Sequence, residues 1–437
     1  MALIDFWKRI EPSKENQFLH ATYDAFFTFM FKPNLTTKGK GVHIRDAMDL
    51  KRTMFHVVIA LQLCLLVGTF NIGHQHFVAL GIHTGFIEAF HLKLVFGLVQ
   101  LLPIVIVANV VGLGIEFYFA ARRGHAVEEG FLVSGMLIPL IMPPDIPLWM
   151  LALAVAFAVV IGKEAFGGTG MNVLNVALLA RVFIFFAYPT EISGDGPWVA
   201  AWTMFEDETT KVLYKGADYY WAHTMFNPLF EAAGWSTFVQ GTPFVAGYSG
   251  ATPLALGAAQ GWAQVDAATG EVTGGILSQY SALQMWMGGI PGCIGETSKP
   301  AIIFGAIFLL ITRVASWRVM LSFVIGTALT GMIFNAWDAT VFMNVPWYQH
   351  FGMGGLLFAM AFMATDPVTA AQTNRGKIIY GFLIGFFGMV IRVMNPAYAE
   401  GWMLAILLMN VFAPLVDHYV LEGNISKRLK RAKEYAK

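Results

Sequence analysis

Apolar stretches alternate with short polar ones along the whole chain. Ten of the apolar runs are long enough, or nearly so, to cross a bilayer that takes about 20 helical residues. They fall at 53–70, 92–120, 131–142, 147–162 and 173–188, and again at 300–311, 318–334, 351–365, 378–394 and 402–420. The pattern predicts an all-α integral membrane protein with ten transmembrane helices in two sets of five. It divides the chain into an amino-terminal extension (1–52), a first five-helix unit (53–188), a long polar segment (189–299), a second five-helix unit (300–420) and a basic tail (421–437). Ten crossings put both termini on one side.

The two units resemble each other. In each, the third run is approached through glycine, breaks at an aspartate beside proline, and is followed by two more runs. Asp145 with its flanking prolines matches Asp366-Pro367, and Asn175-Val176-Ala177-Leu178-Leu179 resembles Met403-Leu404-Ala405-Ile406-Leu407. Units of five spans insert with opposite orientations. The expectation is therefore an inverted repeat, typical of transport folds whose working site lies at the repeat interface near the midplane. The short third and eighth runs, interrupted by proline, are the expected broken helices.

Charge fixes the orientation. Nine Lys and Arg residues from Lys8 to Arg52 precede the first run, and six from Lys427 to Lys437 follow the last. Both termini are cytoplasmic by the positive-inside rule. Arg122, Arg123, Lys163, Arg313, Arg318, Arg375 and Lys377 fall in loops that ten crossings also place inside. Between Glu191 and Ser298 only Lys211 and Lys215 are basic, so this segment, with Thr252, is expected outside. The charged first 17 residues contain no apolar core of a cleavable signal.

Composition narrows the chemistry. With 57% hydrophobic and 13% charged residues, and a mean hydropathy of +0.60, the chain is far from a soluble domain. It shows no basic, aromatic-interleaved surface for nucleic acid. Two cysteines, Cys64 and Cys293, are too few for a four-cysteine iron–sulfur site or a disulfide framework. No Rossmann fingerprint, Walker loop or nucleophile–base triad is present, so NADH is not expected to bind this chain.

Two glycine-rich stretches lead into helices: Phe166-Gly167-Gly168-Thr169-Gly170-Met171-Asn172, and Pro291 to Ser298 with Glu296 and Thr297. Their exposed N–H groups suit the oxygens of an isoalloxazine ring or a quinone headgroup. Close helix packing by small residues is the alternative. Asn172 and Asn175 strengthen the ligand reading, because polar side chains at membrane depth need partners. Glu116, Glu164, Arg181, Asp338, Asp366, Arg392 and Asp417 are ionisable groups near or inside spans. Glu164 and Asp417, at cytoplasmic span ends, could gather a hard cation, cap a helix end, or pair with Lys163 or His418. Arg181 and Arg392 could bind a flavin phosphate, pair with an acid, or stabilise a reduced anionic ring. His74, His76, His83 and His91 surround the first outer loop, where a lipid or protein contact is favoured over a metal site.

The tetrapeptide Ser249-Gly250-Ala251-Thr252, followed by Pro253, resembles the site at which a flavin transferase joins FMN to threonine through a phosphodiester. Further stretches point the same way: Lys8 to Pro12, His43 to Arg52, Gly162 to Asn172, Gly295 to Ser298, and Arg313 to Arg318. Over its whole length the chain resembles the family of B subunits of the sodium-translocating NADH:quinone oxidoreductases. The D subunit of the related Rnf complex shares the glycine motif and the flavin threonine but lacks so long an amino-terminal extension. The resemblance implies a urea-transporter-like fold in the bacterial inner membrane. It implies FMN on Thr252, attached outside the cytoplasmic membrane, together with noncovalent riboflavin and quinone reduction on the cytoplasmic side. It also implies five partner subunits, which carry FAD, iron–sulfur centres and a second covalent FMN. Glu164 and Asp417 match acidic positions implicated in sodium uptake. Two positions depart from the family pattern. Ala246 stands where the transferase usually meets an aspartate, and Val176 replaces a proline. The rival readings are an Rnf-type, ferredoxin-linked subunit and a flavin-free inverted-repeat channel or transporter.

Overall fold

The computed structural model describes residues 9–12, 19, 23, 27, 50–123, 130–194, 196–200, 250–266, 271–395, 398 and 400–435. Ser249 and Ala246 lie outside the described residues, as does most of the amino-terminal extension. The principal helices are α1 (Leu50–Ala79), α2 (Phe90–Arg123), α3 (Phe131–Ile141), α4 (Leu148–Gly162), α5 (Val176–Ala187), α6 (Pro253–Gln260), α7 (Lys299–Ile311), α8 (Trp317–Trp337), α9 (Asn374–Met394) and α10 (Trp402–Tyr435). Six of them, α1, α2, α4, α8, α9 and α10, are long and apolar enough to cross a membrane. Helix is the expected form for such runs, because hydrocarbon offers no partner to a backbone amide.

Local chemistry sets the helix ends. Pro147 immediately precedes α4, and the Asn175 side chain accepts from the N–H groups of Ala177 and Leu178 at the start of α5. Ser298 and Pro300 open α7, and Thr373 caps α9 through the Gly376 N–H. These are ordinary start signals.

Three elements differ in extent from the apolar runs. The first helix continues past residue 70 to Ala79, because its polar side chains find internal partners. Asn71 donates to the Ile290 carbonyl at 2.8 Å, and His76 Nδ1 meets the Ala200 carbonyl at 2.8 Å. The eighth run is not one helix. It holds a turn at Gln349–Gly352, a short helix Leu356–Phe358 and a π-helical turn Ala359–Met363. The last helix runs on to Tyr435, carrying the basic tail as exposed helix.

Helices α1 to α5 pack around one another, with α2 against α1, α3 and α4, and α4 against α5. In the second half α9 lies between α8 and α10, and the 356–363 turns touch α7, α8 and α10. The halves interlock where α1 meets α7 and α5 meets α10. The break after α3 is closed by the segment before α7. Gly295 donates to the Leu140 carbonyl at 2.7 Å, Ile294 donates to Met142, and the Arg181 guanidinium donates to Ile141. Carbonyls freed at a helix end inside the protein are thereby satisfied. The polar segment between the halves contains α6, a two-strand hairpin pairing Gln264–Val265 with Val272–Gly274, and a short helix Ala282–Met287.

Candidate functional sites

Two groups of polar residues lie toward opposite ends of α5. At its amino-terminal end, Lys163, Thr169, Asn172, Asn175, Thr365 and Asp366 line a cavity of about 70 Å³, flanked by apolar residues of α1, α3 and α7. Asn175 is the pivot. While its oxygen caps α5, its amide donates to Asp366 Oδ2 at 3.2 Å, joining the two halves. Asp366 also accepts from the Val368 N–H and the Thr369 hydroxyl, both at 3.0 Å. Asn172 reaches the cavity too, and its amide donates to the Leu174 carbonyl at 3.1 Å.

Gly167, Gly168 and Gly170 do not line this cavity. Their φ values of 122°, 104° and 86° make the turn that carries Thr169 and Asn172 to it. Only glycine adopts such backbone without strain. Two ion pairs hold the turn to the end of α2. Arg123 Nη1 donates to Glu164 Oε2 at 2.8 Å and Nη2 to the Glu164 carbonyl at 2.6 Å. Lys163 pairs with Glu116, both side chains being buried. Of the partners open to Glu164 in the sequence, Lys163 is thus taken by another acid.

At the other end of α5, Thr252 opens α6. Its Oγ1 accepts from the Ala255 N–H at 3.2 Å, and the residue is half-buried. Ala251, just before it, is buried, and its carbonyl accepts from the Tyr280 hydroxyl at 2.9 Å. Thr252 borders two cavities. One of about 90 Å³ is shared with Arg181, Phe185, Trp198, Tyr398 and Glu400. A smaller one is shared with Gly292, Glu296, Thr297, Gly354 and Glu400. The structure thus brings Thr252 together with Glu296 and Thr297, while Ser298 begins α7 without reaching either cavity. Arg181 donates to Cys293 Sγ at 2.7 Å, and Glu296 Oε1 accepts from the Cys293 N–H at 3.0 Å.

Asp417 stands apart from both groups. It accepts from the N–H groups of Gln372 and Thr373 at 2.6 and 3.0 Å and from the Thr373 hydroxyl, tying α10 to the start of α9. The histidines are dispersed among separate contacts. Lys93 donates to His74 at 3.1 Å, His76 stacks on Phe96, and His83 lies 3.0 Å from Glu88. The His83 ring and the Gly85 N–H hold the Glu88 carboxyl below its usual range. Among the described residues, no three His, Cys, Asp or Glu side chains are grouped to hold a metal ion.

Sequence reasoning did not single out Lys299, Tyr398 or Glu400. Lys299 carries a signal in retrospect: a cation in the first turn of a helix opposes the macrodipole and calls for a compensating reason. Glu400 sits two residues before an apolar run, which by itself marks nothing.

Residues 37–426 match the NQR2, RnfD, RnfE family. Among curated proteins the chain is 41% identical to the B subunit of the Na(+)-translocating NADH-quinone reductase of Chromohalobacter salexigens, covering 95% of this chain and 92% of that protein. It is 38% identical to the protein of the same name from Neisseria meningitidis serogroup B, over 99% of this chain and all of that protein. The Stutzerimonas stutzeri counterpart is also 38% identical, with 94% of each chain covered. With matches of this extent, the chain belongs to the NQR2, RnfD, RnfE family.

Proposed function

We propose that this chain is the membrane subunit of a sodium-translocating NADH:quinone oxidoreductase, carrying FMN on Thr252 and riboflavin noncovalently, and passing electrons to quinone coupled to sodium export. The observation that carries this reading is the setting of Thr252. Its hydroxyl lies at the amino-terminal end of an eight-residue helix, half-buried, against two cavities with Arg181 in the wall of one. A phosphoryl group esterified there gains from the helix dipole and the nearby cation. When bound, a flavin supplies the electron-carrying chemistry, and the chain supplies attachment, orientation and electrostatics. Thr252 fixes the tether, so that reduction cannot release the cofactor.

The riboflavin assignment is supported by the donors around the other cavity: the Asn172 and Asn175 amides, the Thr169 hydroxyl and the Lys163 ammonium. These donors face a cavity of about 70 Å³. Gly167, Gly168 and Gly170 serve such a site by shaping the turn. Gly250 and Ala251 serve the tether as the chain leading to Thr252.

The ten-crossing, inverted-repeat arrangement belongs to the same proposal. Neighbour relations correspond between halves: α2 with α4 as α8 with α9, and α4 with α5 as α9 with α10. The contacts of the third helix with α1, α2 and α5, set beside those of the 356–363 turns with α7, α8 and α10, support the same pairing. Both termini are then cytoplasmic in a bacterial inner membrane, and Thr252 faces outward, where a flavin transferase would load it. NADH, FAD, the iron–sulfur centres and a second covalent FMN belong to five partner subunits.

In-gel flavin fluorescence of the denatured chain, wild type against Thr252→Ala, tests the reading when the complex is expressed with its transferase. A fluorescent wild-type band and a dark mutant band are expected. A wild-type band without fluorescence overturns the proposal.

A further inference from the structure

Beneath Thr252 lies a group of five ionisable side chains drawn from both halves: Arg181, Glu296, Lys299 and Arg392, which are buried, and Glu400, which is half-buried. Arg181, Lys299 and Arg392 are each at most 2% exposed, and Glu296 is 5% exposed. The three cations bond to carbonyl oxygens, which orient positive charge without cancelling it. Arg181 donates to Ile141; Lys299 donates to the Glu296 and Gly354 carbonyls at 2.6 and 3.1 Å; Arg392 donates to His350 and Met353 at 3.1 and 3.3 Å.

The two carboxylates converge on the glycine pair Gly354-Gly355. A Cβ at Gly354 would lie 2.8 Å from Glu400 Oε1 and 3.2 Å from Arg392 Nη2. One at Gly355 would lie 2.8 Å from Glu296 Oε2 and 3.3 Å from Glu400 Oε2. The chain is thus glycine where these groups crowd together. Among the described residues, Glu296 Oε2 and Arg181 Nε are buried without a hydrogen-bond partner. Burying such atoms is costly unless a group arrives that uses them. Among the described residues, three cations against two carboxylates in their ordinary ionisation states leave one positive charge in excess. Glu400 is the member that borders both cavities of Thr252.

We infer that Glu400 and Arg181 are opposed positioning residues that set the electrostatic potential at the cofactor on Thr252, with the cluster's excess positive charge holding the negative charge that reduction adds. The inference rests on the proposed attachment of FMN at that threonine. In the step concerned, one electron supplied by the complex's NADH oxidation enters the ring and later leaves toward quinone; no bond is made or broken, and the net charge at the site falls by one and is restored. At the effective dielectric of about 20 that suits protein interiors, unit charges several ångströms apart change such an equilibrium by about tenfold or more. Removing the negative Glu400 therefore favours reduction, and removing the positive Arg181 opposes it.

The test is a potentiometric titration of the assembled complex in wild-type, Glu400→Gln, Arg181→Gln and Glu400→Asp forms. The Thr252 flavin signal is isolated as the difference from the Thr252→Ala complex, and in-gel fluorescence reports occupancy. Glu400→Gln is expected to shift the oxidised-to-reduced ratio at fixed poise about tenfold toward reduced, equivalent to about 59 mV for one electron. Arg181→Gln is expected to shift it the opposite way, and Glu400→Asp to stay near wild type. Should Arg181→Gln fail to assemble, the contrast between Glu400→Gln and Glu400→Asp decides. Normal fluorescence with unmoved potentials, or shifts of the same sign in both neutral variants, overturns this inference alone. Absence of fluorescence in the wild-type band overturns the functional reading and this inference with it.

Discussion

Asn175 shows how much a single side chain settles. One carboxamide caps α5 through two backbone N–H groups and reaches across 191 positions of sequence to Asp366. Asn175→Ala removes both roles. Loss of the cap costs about 1 kcal/mol, and Asp366 loses one of its donors. Asn175→Asp keeps an oxygen for the cap but sets a second carboxylate beside Asp366. Thermal unfolding of the detergent-purified protein should therefore rank wild type above both variants, with Asn175→Asp gaining most when the pH is lowered. Equal melting temperatures would show that the link between halves carries little energy. That Asn175 needs a partner was legible from sequence, because a polar side chain inside the 173–188 apolar run is a local signal; that it caps the helix emerged only with the observed start of α5 at Val176. The bond to Asp366 was not legible, since nothing local pairs residues so far apart. Glu400 was missed for the same reason: its meaning comes from Gly354 and Gly355, and only the fold brings these together.

The turn between α4 and α5 presents the two sides of buried charge at the scale of an element. Lys163 and Glu116 neutralise each other in the interior, and Arg123 closes over Glu164 beside them. Removing one partner of a buried pair leaves an uncompensated charge and costs about 3–5 kcal/mol, whereas replacing both by apolar groups of similar volume is often neutral. Lys163→Met should thus destabilise strongly and Lys163→Met with Glu116→Leu should recover most of the loss, as read from melting temperatures in a double-mutant cycle. Failure of the double variant to recover would show that mutual neutralisation is not what makes the pair stabilising. The same geometry sharpens the sodium question. Glu164 is already met by Arg123, and Asp417 by three donors, so a sodium ion at either must displace an existing partner. If these acids serve sodium uptake, Glu164→Gln and Asp417→Asn should weaken the sodium dependence of quinone reduction. An unchanged dependence sinks that role and leaves the two as an anchor and a helix tie. Their nearness to span ends was plain in the sequence; their partners were not, because a basic residue two helices away competes with any neighbour in the chain.

Across the whole molecule, the open choice of architecture is whether the short apolar helices cross. The six long helices alone make a consistent protein with both termini on one side, and so do ten elements that include α3, α5, α7 and the 356–363 turns. At 11, 12 and 13 residues, α3, α5 and α7 are each shorter than the bilayer core if straight and helical throughout. Their ends are instead met by other protein segments, as Gly295 and Arg181 meet the carbonyls closing α3. Non-helical backbone at membrane depth is tolerated only where protein covers it. The two arrangements agree on the side of the tail and disagree at two exposed positions, Ala165 after α4 and Ala339 after α8. With ten crossings Ala165 is cytoplasmic and Ala339 outside; with six, the sides are exchanged. Both native cysteines, Cys64 and Cys293, are buried, so a membrane-impermeant maleimide meets little background. The repeat predicts that Ala339→Cys is labelled in intact cells, whereas Ala165→Cys and Lys430→Cys are labelled only after permeabilisation. The reverse result at 165 and 339, with Lys430→Cys still protected, would reduce the four short elements to buried struts and remove the inverted repeat.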